Sequence, residues 1–179
     1  MKINREGKIK LFLSFALLGY SFLVSVITKN FLAFLAMFFS TSGDIYIMAS
    51  RGVFCEQKKN SFKLGVVAFA FAHIIYIMAM QNEHSIAFVA ISMTALFMVI
   101  CLTVLKDNNS NFIPYAICII VNAINAFLFS WIAAAGMVLF LTSDAILSIC
   151  EKKSSKWQIA IWATYVPAQV LILTSILLA

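Results

Sequence analysis

The chain has 179 residues, 63% of them hydrophobic and only 11% charged. A soluble domain carries about 45–50% apolar and about 25% charged residues, so this composition excludes a soluble globular protein and points to an integral membrane one. The formal charge of +6 would suit a nucleic-acid partner, but the basic residues fall in tails and loops beside apolar runs, where a membrane surface accounts for them and no nucleic-acid partner is expected.

Seven apolar runs approach the roughly 20 residues a membrane-spanning helix needs. They are 11–28, 31–49, 64–80, 86–105, 112–130, 131–149 and 157–178. The expected fold class is all-α: one transmembrane domain over 1–179, a polytopic bundle of about seven helices with short connections. The first run follows a basic tail (Lys2, Arg5, Lys8, Lys10). Its apolar core is longer than that of a signal peptide, and no small-residue cleavage site follows, so it is read as a helix. Pro114 opens the fifth run, where proline is tolerated, and Pro167 lies inside the seventh, which it should bend.

An N-terminus in the cytoplasm puts the loops 50–63, 106–111 and 150–156 there too. Twelve of the 13 Lys and Arg then share that side, and only Lys29 faces the other. This is a positive-inside pattern, and it requires an odd number of spans. Cys55, Cys101, Cys118 and Cys150 show no metal-ligand spacing and read as small packing residues. The Ile-, Phe-, Lys- and Asn-rich usage hints at a bacterial inner membrane.

Two acids break the apolar pattern. Asp44 lies in the second run and Asp144 in the sixth, whereas Glu6, Glu56, Glu83, Asp107 and Glu151 fall in tails or connections. A carboxylate at membrane depth costs about 2.5–3.5 kcal/mol even on the lenient insertion scale, so two of them call for a function. Helix rise places both about 9 Å from the cytoplasmic end of their helices. His73 is also enclosed in an apolar run, near the midplane. Asn122, Asn125 and Gln169 lie at similar depth.

Helical spacing sorts these residues by face. Ser40 and Asp44 are four apart, as are Phe140 and Asp144, and Tyr165 and Gln169. His73 and Tyr76 are three apart, and Tyr115, Asn122 and Asn125 share a stripe. Each stripe can face the bundle interior, as lipid demands. Milder readings stand beside this one. The aspartates sit close enough to helix ends to reach water, and His73 can be a neutral core residue. Asn122 and Asn125 can serve as interhelical glue, Tyr115 and Trp162 as packing or interface anchors, and His84 reads as a solvated loop residue. Phe39-Ser40-Thr41-Ser42-Gly43-Asp44 also echoes Leu139-Phe140-Leu141-Thr142-Ser143-Asp144, which hints at a 3+1+3 parallel duplication.

Four motifs in order resemble a known family. Ser40-Thr41-Ser42-Gly43-Asp44, then Phe62-x2-Gly65-x3-Phe69-x3-His73-x2-Tyr76, then Gly136-x3-Phe140-x2-Ser143-Asp144, then Tyr165-x2-Ala168-Gln169 are similar to the signatures of the YhhN-like lysoplasmalogenases. Three features depart: Lys29 is followed by Asn30, where that family often carries Lys-Pro, seven spans stand where the family has eight, and Gly136 is followed by Met137 rather than a small residue. The resemblance implies hydrolysis of the vinyl ether of a lysophospholipid, giving a fatty aldehyde and a glycerophospho-ethanolamine or -choline, with no cofactor. On that reading Asp44 and Asp144 form an acid/base pair, because two carboxyls sharing a low-dielectric pocket do not both ionise cheaply. His73, with Tyr76, orients one acid or relays its proton. Tyr165 and Gln169 position water or the glycerol hydroxyls. Ser40, Ser143, Phe140 and Asn122 complete the substrate pocket, and the basic loops hold the phosphate. Two Asp and one His could instead bind a divalent cation, but one buried His without a Glu or Cys ligand set argues for no metal. The competing class is a small 3+1+3 transporter that uses the buried acids for solute or proton binding.

Overall fold

The computed structural model describes residues 5–50, 61–80, 112–150 and 155–179. Among these the fold is all-helical: α1 (Arg5–Thr28), α2 (Phe31–Ser50), α3 (Ser61–Ala79), α4 (Phe112–Phe129), α5 (Trp131–Cys150) and α6 (Ser155–Leu178). Four of them, α1, α2, α3 and α6, are long and apolar enough to cross a membrane. Six of the seven expected spans are therefore helices. The fourth, 86–105, lies outside the described residues, as do His84, Cys55, Cys101 and most of the loop lysines.

Boundaries differ at the polar ends. The sequence pattern starts the first helix at 11, but α1 starts at Arg5, and α3 starts at Ser61 rather than 64. Lys and Arg are good helix formers, so backbone hydrogen bonding continues past the point where apolarity stops. The α6 helix runs on through Pro167.

Burial is inverted relative to a soluble protein. Large apolar side chains face outward, among them Phe12 (72% exposed), Leu128 (73%) and Phe15. Inside lie Ser14, Ser21, Ser40, Asn122, Ser143 and Gln169. This is the distribution a bilayer imposes, with lipid taking the apolar surface and polar groups finding partners across helices.

The helices close a ring in chain order, with α6 returning to α1. The two most extensive interfaces are α2 with α3 and α5 with α6. Both rest on glycine. A Cβ on Gly43 would stand 2.7 Å from the Phe69 ring, and one on Gly65 would stand 3.2 Å from the Gly43 carbonyl oxygen. At Gly136 it would meet the Ala168 carbonyl oxygen at 3.0 Å and Ile172 Cγ1 at 2.9 Å. Small residues here let the backbones approach.

The connection from α1 to α2 explains the departure at Lys29-Asn30. Lys29 has φ 56°, a left-handed conformation. The Asn30 N–H donates to Thr28 Oγ1 at 3.2 Å, and its side chain donates to the Ala79 carbonyl at 2.9 Å. Proline at position 30 could do neither, since it has no N–H and no amide side chain.

Candidate functional site

Asp44 lies six residues before the end of α2 at Ser50, and Asp144 six before the end of α5 at Cys150. At 1.5 Å per residue both are about 9 Å from the helix ends. Both line one cavity at the end of the bundle where α1 and α6 begin, with Lys10, Phe69, Ser143 and Tyr165 also on its wall. The cavity has about 40 Å³ of open space, enough to admit water.

Asp44 is 7% exposed. Its Oδ2 accepts from Ser14 Oγ at 2.8 Å and from the Tyr165 hydroxyl at 3.1 Å. Asp144 is half-buried and accepts from the Tyr115 hydroxyl. Each acid thus takes a hydroxyl donor from the helix that precedes its own. Ser14 stands 30 residues before Asp44, and Tyr115 stands 29 before Asp144. The two spacings are close, although one donor is a serine and the other a tyrosine.

Behind the cavity lies a second polar layer. Tyr76 donates to Gln169 Oε1 at 2.7 Å, and Gln169 Nε2 donates to Ser40 Oγ at 3.3 Å. This ties α3 to α6 to α2. Its three members are fully enclosed, so Gln169→Leu leaves the hydroxyl of Tyr76 only the weak acceptor Met37 Sδ, at 3.6 Å. The expected cost is about 1–3 kcal/mol. Thermal unfolding in detergent reads it, and a Gln169→Leu, Tyr76→Phe double variant is expected to lose less than the two single variants summed.

His73 is 1% exposed and packs edge-on to Phe140 at 4.8 Å. Asn122 Nδ2 lies 2.9 Å from its Nδ1. His73 Nε2, Asn122 Oδ1 and Asn125 Nδ2 are buried with no hydrogen-bond partner among the described residues. Among the described residues no three His, Cys, Asp or Glu side chains gather as metal ligands.

Of the sequence-selected residues, Asp44, Asp144, Ser143 and Tyr165 reach the cavity wall. Ser40, Tyr76 and Gln169 form the clamp behind it, and His73, Asn122 and Phe140 pack alongside. The hydroxyl of Tyr76 goes to Gln169 rather than to an acid. The acid-facing phenols are Tyr165 and Tyr115. Tyr115, read as a packing anchor, instead donates to Asp144: its stripe faces α5, and helical spacing alone does not name the partner helix. Ser14 and Lys10 were not singled out either. The signal for Ser14 was present, because Gly7, Ser14 and Ser21 recur every seven residues and all are buried. Cys118 is buried against Ala70 and Ile74, in keeping with a packing role.

The YhhN family model matches residues 8–176, nearly the whole chain. The chain belongs to the YhhN family. No curated protein and no solved structure matches it. The family match takes in all six helices, so both aspartates, their donors and the clamp lie within the YhhN region.

Proposed function

We propose that this YhhN-family chain is a seven-span, single-domain membrane hydrolase with its N-terminus in the cytoplasm, cleaving the vinyl ether of lysoplasmalogens. The observation that carries the reading is the pair of aspartates at equal depth on one cavity, each with its own hydroxyl donor. Asp44 takes two hydroxyl donors against one for Asp144, so Asp44 is the carboxylate. Asp144 takes one donor and holds the proton.

The chemistry follows from those two states. Asp144 protonates the β-carbon of the vinyl ether, and an oxocarbenium ion forms beside the Asp44 carboxylate, which stabilises it. A water in the cavity adds to the cation as Asp44 takes its proton. The hemiacetal then collapses: Asp44 returns that proton to the leaving glycerol oxygen while Asp144 takes the proton of the hemiacetal hydroxyl. Both acids end as they began. Water fits the cavity as it stands, whereas an alkenyl chain is larger than its open space.

The echo between the two aspartate-bearing segments favours a second reading, a carrier with its site between repeats. One experiment separates them. Purified protein incubated with a lysoplasmalogen is expected to release free aldehyde. Saturable solute flux in proteoliposomes without aldehyde would transfer the acids to transport.

A further inference from the structure

Tyr165 and Gln169 sit four residues apart on α6, as Asp44 and Ser40 do on α2. Two rungs join these helices. Tyr165 donates to Asp44 Oδ2 at 3.1 Å, and Gln169 Nε2 donates to Ser40 Oγ at 3.3 Å. One helical turn separates the rungs, about 6 Å along the axis. In the ring α1 stands between α2 and α6, so these side chains reach across the interior. The first rung is weak by itself. An O–H···O bond is usually about 2.5–3.0 Å long, so at 3.1 Å a small rotation of α6 loses it. The second rung is braced from a third helix, because Tyr76 of α3 donates to Gln169 Oε1 at 2.7 Å. Gln169 is buried and is not part of the cavity wall, so it steadies α6 without reaching a ligand there.

We infer that Gln169 is a positioning residue for Asp44: braced by Tyr76 and Ser40, it fixes α6 at the rotation that lets the Tyr165 hydroxyl reach the carboxylate. A carboxylate that loses a hydroxyl donor takes up a proton more readily, so a slack second rung leaves Asp44 a poorer base. Only that last consequence rests on the hydrolase reading. The effect is confined to one acid, because the donor to Asp144 is Tyr115 of α4, which neither rung includes. A clamp that merely held the bundle together would loosen both acids alike.

The test labels the full chain in detergent with dicyclohexylcarbodiimide, which adds to a protonated carboxyl and not to a carboxylate. Peptide mass spectrometry reads Asp44 and Asp144 separately. Tyr165→Phe is expected to raise the labelling rate at Asp44 about three- to tenfold, the scale of one hydrogen bond. Gln169→Leu is expected to raise it at least about twofold without exceeding Tyr165→Phe, and to leave Asp144 at its wild-type rate. Combined with Tyr165→Phe it should add nothing, because Gln169 acts through Tyr165. Tyr76→Phe keeps the ring and its packing and is expected to move Asp44 the same way. It takes the place of Gln169→Leu, alone and in the double variant, if that protein does not accumulate. Equal rises at Asp44 and Asp144 would mean a general loosening and overturn the inference. So would an Asp44 rate left at the wild-type value, or a double variant well above Tyr165→Phe. Labelling requires no turnover. Aldehyde release with unchanged labelling would strike the positioning role alone, and the expected labelling without aldehyde would strike the hydrolase reading alone.

Discussion

Asp44→Asn and Asp144→Asn are each expected to lower the rate of aldehyde release by about 10²–10⁴-fold, the range that one general acid or base supplies. Asparagine keeps the size of the side chain and can still accept from Ser14, Tyr165 or Tyr115, so thermal stability and membrane abundance should hold. The two losses should not add, because one proton circuit passes through both carboxyls. The double variant is expected to fall little below the worse single one. Near-normal turnover by either single variant, at normal abundance, would remove the paired mechanism. Tyr115→Phe is expected to fall between wild type and Asp144→Asn, since it withdraws the donor that orients Asp144 but leaves the acid.

The second large effect is structural. Gly136→Val is expected to destabilise the bundle by about 1–3 kcal/mol, the usual result of overpacking a close contact. A Cβ there meets the Ala168 carbonyl oxygen at 3.0 Å, and backbone cannot rotate aside as a side chain can. At about 2–4 °C per kcal/mol for a chain of this size, the unfolding midpoint in detergent should drop by roughly 2–12 °C. Gly19→Val is the control, because nothing lies within 4 Å of its Cβ position. Equal effects at the two glycines would show that helix propensity, not the α5–α6 contact, sets the cost.

The acids were legible because an aspartate inside an apolar run is rare and expensive, so Asp44 and Asp144 announced themselves before any helix was placed. Their equal depth followed from helix rise alone. The glycines of the first three motifs were legible as signature residues, but their work was not: only coordinates show Gly43 beneath Phe69 and Gly136 against Ala168. Partners across helices were the hardest part. Periodicity tells which residues share a face, and that was enough to turn Tyr76, His73 and Gln169 inward. It does not fix the rotation of one helix against another. Tyr76 therefore met Gln169 rather than an acid, and Tyr115 took the place beside Asp144. Lys10 was hidden for a different reason. In a basic tail one lysine resembles the next, and its bond to Gln158, 148 residues away, marks it out.

The tight connections carry a consequence for biogenesis. Only Lys29 and Asn30 separate α1 from α2, and only Ser130 separates α4 from α5. Each pair is a helical hairpin that can enter the bilayer as one unit, and each contains one acid together with one hydroxyl donor to it. A hydrogen bond to a charged group is worth about 1.5–3 kcal/mol, comparable to the roughly 2.5–3.5 kcal/mol that a lone aspartate costs on insertion. Each hairpin therefore brings its own compensation through the translocon, and neither acid has to wait for the opposite half of the protein to arrive.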